Sequence, residues 1–192
     1  QGAAGMRQQP PGFLAEVAPK DFAAVFEKIL AGQYQVVEHL MFDRTHESDS
    51  PKHSALELGG AAARGGPGGQ ALLGLNEVVI QTGPPYHMLD IELLIDGERV
   101  TTYSADGLII ATPVGSTAHS LAAGGPIVRQ DLPAFVITPI CPHTLTNRPL
   151  VDSADKTYQL VVHQPGSNLV IDGQIQVPLS RGDRVTVRAA PV

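Results

Sequence analysis

Two short stretches hold residues whose types and spacing suit chemistry on a ligand. The longer is Asp106 to Gly125, DGLIIATPVGSTAHSLAAGG. Its apolar strand, Leu108 to Ala111, is ended by Pro113 and followed by Gly115, Ser116 and Thr117. Small and hydroxyl residues at a helix start offer backbone N–H groups and side-chain caps, which suits an anionic group. Ala118 and Ala122 leave space for a flat ring, and His119 can stack or hydrogen-bond. Gly124-Gly125 permits a sharp exit from the short helix. The second stretch is Asn76-Glu77, just before the apolar run Val78 to Ile80. An amide beside a carboxylate can grip the two hydroxyls of a ribose. Taken singly, the first stretch equally reads as a strand, a turn and a packed helix, and the second as an exposed strand end.

Other candidate sites fail on residue identity. His46-Glu47 opens a zinc-helix pattern, but Ser50 stands where its second histidine is required. Ser116 lacks the glycine of a nucleophile elbow, because Val114 occupies that position. Arg64 to Gln70, RGGPGGQ, lacks the lysine and Ser/Thr of a phosphate loop. The seven histidines are scattered without metal-ligand spacing.

The elements that position these residues are mostly strands. Glycine (20) and proline (16) are abundant and charged residues make up 17%, a composition of many strands and turns. One helix is clear. Phe22, Val25, Phe26, Ile29 and Leu30 repeat at helical spacing, with Pro19 and Asp21 at the start and Gly32 as the stop. It is expected on the surface with its apolar face against the sheet. QVVEHLMFD and ALLGLNEVVIQ each read as a strand, as do LPAFVITPIC and YQLVVHQ. Hairpins turn at Asp96-Gly97, at Asp172-Gly173 and again at Arg181-Gly182-Asp183. The two Ile-Asp-Gly turns look alike without forming a repeat. Residues 45–71, polar and glycine-rich, read as a long flexible loop. The expected fold is mainly β, a two-layer β-sandwich-like domain. It carries one N-terminal amphipathic helix and a short helix after TPVGSTA. Residues 1–192 are expected to form a single domain.

Bulk properties exclude several classes. The net charge of -6 argues against a nucleic-acid partner. QGAAGMRQQPPGF has no apolar signal core, and no apolar run approaches a membrane span. The single cysteine, Cys141, fits a reducing compartment, and a cytoplasmic location is expected.

In order and spacing, LNEVVI, SADGLIIATPVGSTAHSLAAGGPIV, ITPICPHTLTNRPLV and IDGQ resemble the C-terminal domain of the NAD kinases. The resemblance covers about Gly12 to Val192 and is strongest from Leu75 to Val151. It implies transfer of the terminal phosphate of ATP, or of polyphosphate, to the 2′-hydroxyl of the adenosine ribose of NAD, giving NADP. It implies a divalent cation, Mg²⁺, with the donor. Asn76 and Glu77 would hold the ribose, and Thr117, Ala118 and Ala122 would line the adenine pocket with Ser120 beside them. His119 stands where the family usually has tyrosine stacked on adenine. Asp106 would reach the nicotinamide end, often across a subunit interface, with Cys141 nearby. His87 and Gln174 match nucleotide-contacting positions, and Asp172 would sit beside the phosphates.

The family's base lies in a Gly-Gly-Asp-Gly motif that this sequence does not contain. The resemblance therefore implies a part of a longer enzyme, with no catalytic residue and no metal ligand in this chain. Alone, the chain would be inactive. A homodimer or homotetramer is expected. A lipid kinase of the diacylglycerol or sphingosine type and a non-catalytic nucleotide-binding domain are the alternatives.

Overall fold

Period-two alternation of buried and part-buried residues marks most strands and dictates two stacked layers. The computed structural model describes residues 17–48, 72–144 and 148–191. The chain divides into two compact units, Gln1–Glu38 and His39–Val192. In the first, a 3-10 turn at Pro19–Asp21 leads into helix α1, Phe22–Leu30, where Phe22 and Phe26 stack with centroids 5.8 Å apart. Gly32, with φ 74°, follows the helix end as expected.

Among the described residues, the second unit holds twelve strands. They are β1 Phe42–Glu47, β2 Leu72–Gly74, β3 Glu77–Thr82, β4 Leu89–Ile95, β5 Glu98–Ala105 and β6 Gly107–Ala111. β7 Ala134–Ile140, β8 Leu150–Ser153, β9 Tyr158–Val162, β10 Ser167–Ile171, β11 Ile175–Leu179 and β12 Arg184–Ala189 complete the set. One antiparallel sheet has the order β2-β1-β12-β9-β4-β5, the other β11-β10-β3-β6-β7-β8. Leu89, Ile91, Leu93, Tyr158, Leu160 and Val162 of the first sheet share one core with Val78, Ile80, Leu108, Ile110, Phe135 and Ile137 of the second.

Three strands of the second sheet break the alternation. β6 is buried at every residue, and β3 and β7 nearly so. Their other face carries Val79, Ile109, Ala111 and Val136, which pack with Val128 and Ala123. The chain between Thr112 and Val128 thus covers this face. Within it lie a 3-10 turn, Gly115–Thr117, and helix α2, His119–Ala122.

The β-sandwich and the short helix after TPVGSTA stand as the sequence predicts; α1 forms over the expected residues, but its apolar side chains Phe22, Phe26, Ile29 and Leu30 are exposed and not packed as expected. Several boundaries differ. QVVEHLMFD is not a strand over most of its length, since β1 begins only at Phe42. β1 also runs to Glu47, three residues into the expected loop; residues 49–71 of that loop lie outside the described residues. ALLGLNEVVIQ is two strands, because the chain changes sheets at Leu75-Asn76. β2 pairs with β1 in one sheet while β3 lies between β10 and β6 in the other. The Asp96-Gly97 and Asp172-Gly173 turns close hairpins with both residues at positive φ (52° and 84°, 47° and 66°). The turn at Arg181-Gly182-Asp183 does not, for β11 and β12 belong to different sheets. Asp183 there bonds Ser180 N and His46 Nε2, 2.9 Å each, and so serves a sheet change instead.

Ile110 is fully buried on the central strand β6. Ile110→Ala is expected to cost about 2–5 kcal/mol, read as a lower urea midpoint at unchanged slope.

Candidate nucleotide site at the start of β3

The two stretches singled out in the sequence meet at one end of β3. Thr112, fully buried, joins them. Its backbone N–H donates to Asn76 O at 2.9 Å and its hydroxyl donates to Leu75 O at 2.5 Å. The same hydroxyl accepts from Gly115 N at 3.1 Å. Gly115 is required by close approach, for a Cβ there would run into the backbone of Asn76. The TPVGSTA loop is therefore fastened directly to the Asn76-Glu77 segment.

A third segment completes the junction. The Asp172 carboxylate accepts Leu75 N at 2.8 Å through Oδ2, and Asn76 N and Glu77 N at 2.8 and 3.0 Å through Oδ1. Its own N–H donates to Glu77 O at 3.0 Å. Asp172 thus faces the protein backbone, where the sequence placed it beside phosphates. The related Asp96 does the same at the other Ile-Asp-Gly turn, bonding Thr157 N at 2.9 Å and Thr157 O at 2.8 Å.

Glu77 is 6% exposed, and its Oε2 is buried without a hydrogen-bond partner. Burial first, and then the charge of Asp172, push its carboxyl up to about 7. The flanking β6 and β10 and the Thr112 to Ala118 loop contain no ionisable residue.

The loop hydroxyls do not cap the helix start as the sequence suggested. Ser116 Oγ donates to Pro113 O at 2.6 Å and accepts from Val128 N at 3.1 Å. Thr117 Oγ1 donates to Val114 O at 2.9 Å. The N–H groups of Gly115, Ser116 and Thr117 bond Thr112 Oγ1, Thr112 O and Val114 O. They are consumed by the tight turn and do not form an anion cradle. Ala118, His119 and Ala122 are exposed, and Thr117 is half-buried. Ser120 lies beneath them, fully buried, with its hydroxyl 2.9 Å from Thr138 Oγ1. Gln174 is exposed in the turn after Asp172.

The remaining two predicted residues sit at the opposite end of β3. Thr82 N donates to Asp106 O at 2.9 Å, six residues and about 20 Å along the strand from Asn76. Asp106 and His87 line an open pocket of about 340 Å³ with Thr82, Tyr86, Met88 and His143. His143 Nε2 is 3.8 Å from Asp106 Oδ1, a neighbour that sequence reasoning missed. Cys141 is exposed nearby in the chain, at φ 46°. Thr112, just past the end of β6, and Thr138, on β7, were also missed, since a buried hydroxyl has no distinctive spacing. Among the described residues, no three His, Cys, Asp or Glu side chains converge as a metal site.

The Glu77 carboxyl yields a signed pH dependence. Between its usual 4.5 and about 7, the folded protein keeps a proton that the unfolded chain releases. Stability therefore falls as pH rises through that window, by up to about 1.4 kcal/mol per unit. Glu77→Gln removes this titration. From pH 5 to 7 the wild type is expected to lose roughly 1–2 kcal/mol relative to Glu77→Gln in urea unfolding, and parallel curves would refute it.

The geometry can now be set against known proteins. Residues 75–192 match the family model of the ATP-NAD kinase C-terminal domain. An NAD kinase of Rhodopirellula baltica is 46% identical over 183 residues, covering 94% of this chain and 54% of that protein. One from Geotalea daltonii is 39% identical, covering 93% and 58%. The crystal structure of yeast NADH kinase complexed with NADH superposes with a TM-score of 0.82 at 28% identity, over 94% of this chain and 48% of that one. An Archaeoglobus fulgidus NAD kinase in complex with ATP gives 0.73 at 26% identity, over 93% and 61%. The chain thus spans little more than half the length of these two bacterial relatives. With its LNE entry, its TPVGSTA loop and its IDG turn gathered at one end of β3, this chain belongs to the ATP-NAD kinase C-terminal domain family.

Proposed function

We propose that residues 1–192 are the NAD-binding part of an NAD kinase, which phosphorylates the 2′-hydroxyl of the adenosine ribose of NAD. The observation that carries this reading is the Asn76-Glu77 pair. It is clamped between Asp172 and Thr112, with one Glu77 oxygen buried and unpartnered. A ribose diol would supply the missing hydrogen bond. Thr117, Ala118 and Ala122 would take the adenine, and the exposed His119 ring would stack on it. Gln174 would reach the nucleotide from the neighbouring turn. Ser120 supports this face from below through Thr138.

In the reaction the 2′-oxygen forms a bond to the terminal phosphorus of ATP, or of polyphosphate. The bond from that phosphorus to the bridging oxygen breaks, and the hydroxyl proton passes to a base. This chain's share is positioning, which is a large part of phosphoryl transfer. The base belongs to the remainder of the enzyme. Mg²⁺ would arrive on the donor phosphates.

Asp106 and His87 lie too far along β3 to join the ribose grip of the same chain. We infer a homodimer or homotetramer in which Asp106 serves the nicotinamide end of a nucleotide held by a neighbouring copy. A cytoplasmic location fits this reading; no described helix is long and apolar enough to cross a membrane.

The longest natural form, given NAD, ATP and Mg²⁺, is expected to form NADP. Asn76→Ala and Glu77→Ala should each lower kcat/KM about 100-fold, the scale of a lost positioning contact. Wild-type rates in both variants would refute the ribose grip. The 192-residue chain alone is expected to bind NAD without turnover, and steady NADP production by it would overturn the division of labour.

A further inference from the structure

We propose that Asp172 is a positioning residue for the adenosine ribose: its grip on three successive N–H groups sets the direction in which the Asn76 amide and the Glu77 carboxyl leave the backbone. This rests on the NAD kinase reading above. Two oxygens satisfy three donors at 2.8–3.0 Å, and the Asp172 N–H returns to Glu77 O at 3.0 Å. The segment is held through both its N–H and its carbonyl groups. Thr112 holds the carbonyls of Leu75 and Asn76, and Asp172 holds the N–H groups. No hydrogen bond reaches the Glu77 carboxyl itself at its buried oxygen. Its aim is therefore inherited from the backbone, and the backbone is fixed by Asp172.

Asp96 provides an internal comparison. It occupies the same Ile-Asp-Gly turn, at similar φ, but holds Thr157 at the start of β9. It has the tether and lacks the neighbouring Asn-Glu pair. Its carboxylate accepts one N–H where that of Asp172 accepts three, so it controls for loss of a turn tether away from the Asn-Glu pair.

The test compares two ligands in the longest natural form of the protein: NAD, and an NAD analogue lacking both adenosine-ribose hydroxyls. Dissociation constants are measured by calorimetry for the wild type, D172A, D172N and D96A. The wild type is expected to prefer NAD. In D172A that preference should fall about tenfold, as for one misdirected hydrogen bond to a charged group. D172N retains an oxygen for Asn76 N and Glu77 N, so it should recover part of the preference. D96A should lose stability and keep the preference. Amide exchange should quicken at Asn76 and Glu77 in D172A and remain unchanged in D96A.

A D172A protein that binds both ligands more weakly by the same factor would reduce Asp172 to a structural tether. A D172N protein with no more preference than D172A would overturn the directional role as well. Should D172A fail to fold, a D172N protein with full wild-type preference would do the same. Absence of NAD binding by the wild type would instead overturn the kinase reading, and this role with it.

Discussion

Burial of β3, β6 and β7 on both faces is the constraint from which the site follows. A sheet strand that is apolar on its outer side must be covered, and here the cover is the chain from Thr112 to Val128. That cover has to lie flat, which favours small residues. Ser120 and Thr138 meet beneath it, and a side chain on Gly125 would collide with both. The exposed surface of Ala118, His119 and Ala122 is therefore the outside of a packing layer. Its polar groups are mostly spent inward, on Pro113 O, Val114 O and Val128 N.

The second organising device is an aspartate at positive φ followed by glycine. Aspartate tolerates that backbone region, and its carboxylate can reach neighbouring N–H groups. At residue 96 it fastens a turn to the head of β9, and at residue 172 it fastens one to the head of β3. One short sequence thus performs the same tethering in both sheets. What differs is the segment held, Thr157 alone in one case and Leu75 to Glu77 in the other.

The sequence made the layered β architecture readable because alternation and Asp-Gly turns are local signals. The α1 helix and the two Asp-Gly hairpins were equally local. Changes of sheet were not. ALLGLNEVVIQ reads as one run of strand-forming residues, and the polar Asn76-Glu77 pair within it signals a site as readily as a passage between sheets at Leu75-Asn76. The Arg181-Gly182-Asp183 turn has hairpin composition yet joins strands of different sheets, a choice made by the partners of β12 far along the chain. For the site, Asn76, Glu77 and the TPVGSTA loop were visible through residue type and order. The inward use of the Asp172 carboxylate and the Thr112 bridge was not, because each depends on contacts between segments 37 to 97 residues apart. The resemblance matched His87 to a nucleotide-contacting position and Asp106 to the nicotinamide end, and it is the strand register that puts both at the far end of β3 from Asn76.

Glu77 is the point where the fold is least at peace with itself. Natural sequences tend towards mutual agreement among their local and global preferences, and conflicts gather where function needs them. Here a carboxyl is taken out of water, left one bond short at Oε2, and set beside a second acid. The N–H groups of Leu75, Asn76 and Glu77, by contrast, are all matched by Asp172. A partner that satisfies that oxygen would relieve a local frustration as well as add a contact. Occupancy would then register as cooperative stiffening of the junction of three segments.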